Sequence, residues 1–147
     1  MLSEILQRTT SMLVVEAQDQ MQVCINTAYT IPPNYDMEIY EGKLQLTLPD
    51  PPHAHRLSID KFFCSLQRDQ AKNAIGIILS GTGTDGTLGI REIVLAGGVS
   101  LVQEPSSARY DGMILSAINS GCANYISLVE KMSKLIITKF RSKILVM

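Results

Sequence analysis

Apolar positions in the first third of the chain fall in short runs rather than in long helical stripes. Leu2, Ile5 and Leu6 share one helical face, which predicts a short helix that begins almost at Met1 and closes at Arg8, Thr9 and Thr10. LVVEA (Leu13 to Ala17) reads as a strand. From Gln22 to Leu48 the runs QVCI, AYTI, MEIY and LQLTL alternate with turn residues at Asn26, Pro32-Pro33-Asn34 and Glu41-Gly42, which predicts strands and a hairpin. LPDPPHAHR (Leu48 to Arg56) is a proline-rich link, unsuited to helix and too poor in apolar residues for a central strand. Ser58 then stands at an N-cap position, ahead of a helix with Ile59, Phe62, Phe63 and Leu66 on one face and an end near Lys72.

The pattern becomes regular after that helix. Strand AIGIILS, turn GTGTDG, helix TLGIREIVLA, a Gly97-Gly98 stop and strand VSLVQ follow one another within about 30 residues, the size of a βαβ unit. Such a unit implies parallel strands and a right-handed crossover. The fold class expected is therefore α/β, a doubly wound and mostly parallel sheet of Rossmann-like, three-layer type with a short hairpin insertion. Beyond residue 130, Lys131, Lys134, Lys139, Arg141 and Lys143 make a basic terminal helix or tail, read as a solvated face.

Composition narrows the classes of function. A chain of 147 residues with 46% hydrophobic and 18% charged side chains is of single-domain size and has the make-up of a folded protein. Thirteen basic against fourteen acidic residues leave a formal charge of -1, which offers no field for nucleic acid. No run approaches the roughly 18 apolar residues that cross a bilayer, and MLSEILQRTT has no leader pattern, so the expectation is a cytoplasmic protein without membrane insertion. Cys24, Cys64 and Cys122 are odd in number and widely spaced, which fits reduced thiols rather than a disulfide framework or zinc site.

The candidate chemistry lies in the turn Ser80-Gly81-Thr82-Gly83-Thr84-Asp85-Gly86, because open α/β sheets place ligands where strand carboxyl ends meet helix N-termini. Gly81, Gly83 and Gly86 satisfy the dinucleotide pattern GxGxxG, and Glu104 follows at the spacing of a ribose-binding acid. Asp85 opposes that reading, since a carboxylate inside the turn would repel a pyrophosphate. Its simplest alternative is an N-cap for the helix that follows. The local pattern leaves a cap and a catalytic acid both open. His53 and His55 form an HxH pair with no nearby third ligand, so no metal or other cofactor is expected. Ser80 has no histidine within obvious reach and reads as a turn residue.

A resemblance adds to this reading. LSGTGTDGTLGIREIVLAGG is similar to the glycine-rich signature of the CheB family, the chemotaxis receptor methylesterases. VQEPSSARYDGM resembles the segment that follows it, and MLSEILQRTTSMLVVEA, YTIPPNYDMEI and LSIDKFFCSL match upstream in order. The double proline and Asp36 are closer to versions fused into multidomain sensory proteins. The resemblance implies a single, partial methylesterase domain over 1–147, with the strongest match over 1–130. It implies serine hydrolysis of glutamyl methyl esters on methyl-accepting receptors, glutamine deamidation, and Asp85 as the triad aspartate.

Several positions depart from the family pattern. Ile114 stands where proline is common, Asn124 where aspartate is usual, and Thr82 where methionine is frequent. The family's nucleophilic serine and catalytic histidine precede the helix with which this chain opens, and neither is present here. The expectation is a chain inactive by itself, in which Asp85 would orient a histidine that these residues do not include. The alternative is a non-catalytic docking or regulatory module of chemotaxis signalling, and dinucleotide binding is the remote one.

Overall fold

A computed structural model describes residues 1–49 and 57–140 and the backbone of 144–145. The chain divides into two compact units, Met1–Arg56 and Leu57–Met147. In the first unit, helix α1 (Leu2–Gln7) leads into strand β1 (Leu13–Glu16). Gln7 joins them, since its Oε1 accepts from Val14 N at 2.8 Å and its Nε2 donates to Met12 O at 2.8 Å. After strand β2 (Met21–Gln22), strand β3 (Thr27–Thr30) runs parallel to β1, with Leu13 opposite Thr27. The expected QVCI strand stops at Gln22, because Cys24 N leaves the ladder and donates to the Tyr29 hydroxyl at 2.8 Å.

The hairpin lies where the sequence puts it. Strands β4 (Asp36–Tyr40) and β5 (Lys43–Thr47) pair antiparallel with Tyr40 opposite Lys43, and β2 adds to the other side of β5. Glu41 and Gly42 are left as a two-residue turn with φ of 48° and 75°, the double positive φ of a type I′ turn whose twist matches its strands. Val14, Ala17, Met37, Ile39 and Leu44 are the buried apolar side chains among the described residues of this unit. His53, His55 and most of the proline-rich link lie outside the described residues.

The second unit is a parallel sheet with helices on both faces. Its elements are α2 (Ser58–Gln70), a 3₁₀ turn (Ala71–Asn73), β6 (Ala74–Ile78), α3 (Thr87–Leu95), β7 (Val99–Gln103), α4 (Gly112–Asn119), β8 (Tyr125–Ser127), α5 (Val129–Lys139) and β9 (Ile144–Leu145). The strand order is β8-β7-β6-β9, and each neighbouring pair is parallel. Alternation along β6 separates the layers. Ile75 and Ile77, with Val99, Leu101 and Tyr125 in register, meet Met132, Leu135 and Ile136 of α5. Gly76 turns the other way, toward Phe63 of α2 and Ile90 and Ile93 of α3.

Two expectations change in detail. Ser58 is the first residue of α2 rather than its cap, and its side chain caps nothing. The terminal segment, expected as helix or tail, adds a strand: α5 ends at Lys139, and the backbone of Ile144–Leu145 pairs beside Ala74 and Ile75, while Arg141 and Lys143 lie outside the described residues. The Gly97-Gly98 stop forms as expected. Gly97 has φ of 89°, its N donates to Val94 O, and Gly98 N reaches back to Ile93 O, which together make a Schellman motif. Positions that depart from the resembled pattern fit well. Ile114 is fully buried, and Asn124 Oδ1 accepts from Ser100 N at 2.9 Å.

Candidate active site

The turn between β6 and α3 is held from three sides. Ser80 N donates to Oε1 of the buried Gln103 at 2.9 Å, so the end of β7 fixes the start of the turn. The Ser80 hydroxyl accepts from Tyr110 N at 3.0 Å and lies 3.2 Å from Tyr110 O, to which it donates. Gly81 N donates to Tyr110 O at 2.9 Å, and Gly81 O accepts from Met113 N at 3.1 Å. A Cβ on Gly112 would stand 3.4 Å from Gly83 N, so the start of α4 closes over the turn. Thr82, Gly83 and Thr84 remain exposed at the tip.

Asp85, half-buried, points its carboxylate at another helix than the one it precedes. Oδ2 accepts from Ile59 N at 3.0 Å and Oδ1 from Asp60 N at 2.9 Å, the second and third residues of α2. Asp85 is therefore a cap, but of α2; position N-cap of α3 belongs to Gly86 at φ 93°. A charge at these amides meets the positive end of the α2 dipole. Asp60 returns the arrangement, for its buried Oδ1 accepts from Gly89 N at 2.7 Å in the first turn of α3.

The two helices can exchange caps because glycine lets them touch. A Cβ at Gly89 would lie 2.6 Å from Phe63 Cβ and 3.2 Å from Asp60 Cα. Gly86 is buried against Ile59 and Ile78. Burial pushes the Asp60 carboxyl above the ordinary aspartate range and the charge of Asp85 adds to this, while the amides of Gly89 and Gly86 oppose it. Beside the pair lies an open depression of about 390 Å³, lined in part by Asp60, Thr84, Thr87, Arg91 and Ser116.

This geometry decides against a phosphate at the glycine turn. The Gly89 amide that an anion would take at the start of α3 already holds a carboxylate, and a second carboxylate stands beside it. Glu104 is turned to its own segment, where its carboxylate accepts from the Ser106 hydroxyl. No group of three metal-ligating side chains occurs among the described residues, and no helix there is long and apolar enough to cross a membrane. Sequence reasoning missed Asp60 and Gln103. Asp60 interrupts the apolar face of α2, and a charged residue at a core position of an amphipathic stripe was the available signal.

Fold and site together define a three-layer α/β domain with a carboxylate fixed at the carboxyl end of a parallel sheet. The family model described as CheB methylesterase matches residues 1–136. The chain belongs to that family. It is 32% identical over 144 residues to a protein-glutamate methylesterase/protein-glutamine glutaminase of Photorhabdus laumondii, covering 95% of this chain and 41% of that one. An uncharacterized 104.1 kDa protein of Rhodobacter capsulatus is 39% identical over 120 residues, which are 82% of this chain and 12% of that protein. The CheB methylesterase catalytic domain of Thermotoga maritima superposes with a TM-score of 0.85 at 26% identity, over 93% of this chain and 75% of that structure. The chain thus spans less than half the length of the first two relatives.

Proposed function

We propose that these residues form the acid-bearing part of a serine hydrolase that cleaves glutamyl methyl esters, and deamidates glutamines, on methyl-accepting chemotaxis receptors in the cytoplasm. Asp85 is the triad carboxylate and Ser80 to Gly86 shape the cleft beside it. The observation that carries this reading is the way Asp85 is held. Two backbone amides fix its plane, and a carboxylate has about four lone-pair positions, so about half its acceptor capacity remains for an imidazole N–H.

In the reaction, a serine hydroxyl attacks the ester carbonyl and passes its proton to a histidine, which returns it to the departing methanol; water then releases the glutamate by the same route. Asp85 holds the histidine tautomer and stabilises the imidazolium. Amides of the exposed Thr82 to Thr84 tip are candidate donors to the oxyanion. The proposal gives neither nucleophile nor base to residues 1–147. The Ser80 hydroxyl is engaged by the Tyr110 backbone, and no histidine falls among the described residues. The 147 residues alone are proposed to be inactive, with nucleophile and base supplied from outside them. The matched residues are only 12% of the 104.1 kDa relative, which supports a place within a longer protein.

Methanol release from methylated receptor fragments, measured on the protein that carries these residues, tests the assignment. Asp85→Asn is isosteric but keeps one acceptor oxygen, so it gives up one of the two α2 amides and presents the wrong partner to the histidine, and kcat is expected to fall about 10⁴-fold. A variant within about tenfold of the parent removes Asp85 from the triad.

A further inference from the structure

The hydrogen bonds that fix Asp85 come from α2, and what fixes α2 against the turn is a second acid with no assigned role. Asp60 is only 6% exposed, yet it sits among Phe62, Phe63 and Leu66 on the buried side of its helix. A buried carboxylate is costly unless strong donors meet it, and Gly89 N meets it at 2.7 Å. That bond ties the third residue of α2 to the third residue of α3. In return the amide of the same Asp60 donates to Asp85, four residues before Gly89. The result is a closed ring: Asp85 to the Asp60 backbone, the Asp60 side chain to Gly89, and the chain from Gly89 back through Gly86 to Asp85.

We propose that Asp60 is a positioning residue of the active site, one that sets the orientation of Asp85 through this reciprocal cap without touching substrate. The inference rests on the proposed role of Asp85. Three features of the ring support it. Gly89 has no room for a Cβ against Phe63, so the helices are held at the separation the bond requires. The positive φ of Gly86 turns the chain sharply between Asp85 and α3, so a shift of the first turn of α3 moves Asp85 with it. The paired charges of Asp60 and Asp85 stand close enough to raise the Asp60 pKa, which indicates electrostatic as well as mechanical contact.

Amide hydrogen exchange on the 147-residue chain reads the coupling without any need for activity. Asp60→Ala removes the acceptor of Gly89 N, and the proposal expects faster exchange not only at Gly89 but also at Ile59 and position 60, by about tenfold relative to Leu66 in the same helix. Asp60→Asn keeps an acceptor oxygen and should stay within about threefold of the parent at these amides. In the intact protein, kcat of Asp60→Ala should fall about 10- to 100-fold with KM nearly unchanged, and Asp60→Asn should recover most of it.

Unchanged exchange at Ile59 and position 60 in a folded Asp60→Ala chain overturns the proposal. Should the alanine variant not fold, Asp60→Ser serves in its place, and unchanged exchange at Ile59 and position 60 overturns the proposal equally. Unaltered turnover in Asp85→Asn overturns the triad reading instead, and is a different result from normal turnover in Asp60→Ala beside a dead Asp85→Asn.

Discussion

Asp85 and Asp60 show one residue type serving two ends of the same contact. Asp85 is half-buried and held by two amides, whereas Asp60 is buried and held chiefly by one, and burial is the first cause of its raised pKa. The pH consequence follows from the direction of that shift. The folded chain binds the Asp60 proton more tightly than the unfolded chain does. Its contribution to stability is therefore full below the ordinary aspartate pKa of about 3.9 and is lost as pH rises through the raised value. Asp85 and Cys64 face Asp60 from the turn and from its own helix, and Arg91 of α3 shares the depression it lines. Urea unfolding of parent and Asp60→Asn between pH 4 and pH 7 should show the parent losing ground to the variant as pH increases. A gap independent of pH would contradict the raised pKa.

Among the elements, the turn and the first residues of α3 leave little room for change. Gly86→Ala forces a left-handed backbone on a side chain and drives its Cβ into Ile78. The cost should be about 2–5 kcal/mol, the sum of backbone and overpacking penalties, visible as a lowered Tm. A loss under about 0.5 kcal/mol would mean the buried geometry at Gly86 is wrong. The βαβ unit was legible because its signals are local: an apolar strand, a glycine turn, a helical stripe and a Gly-Gly stop. The Glu41-Gly42 hairpin was legible for the same reason. The cap on α2 was not, since Ser58 satisfies the local rule while the capping carboxylate lies 26 and 25 residues beyond the amides it accepts from. Strand β9 was also missed, because its pairing depends on an edge of β6 that no periodicity in residues 140–147 reveals.

At the scale of the molecule, family and fold were readable from ordered motifs, and the match over residues 1–136 with the Thermotoga likeness supports both. What the sequence left open, cap or catalytic acid for Asp85, becomes compatible once the structure shows which helix is capped. A carboxylate anchored by two α2 amides serves as a cap and still has acceptor capacity for the proposed histidine. In the proposed division, residues 1–147 carry the acid of the triad and not its nucleophile. Intact-mass analysis followed by peptide mapping, after fluorophosphonate treatment of the protein that carries these residues, tests that division most directly. The expected result is no adduct on any serine of residues 1–147, Ser80 included, and labelling elsewhere that is lost in Asp85→Asn. A stable adduct mapped to Ser80, or to any other serine within these residues, would contradict it.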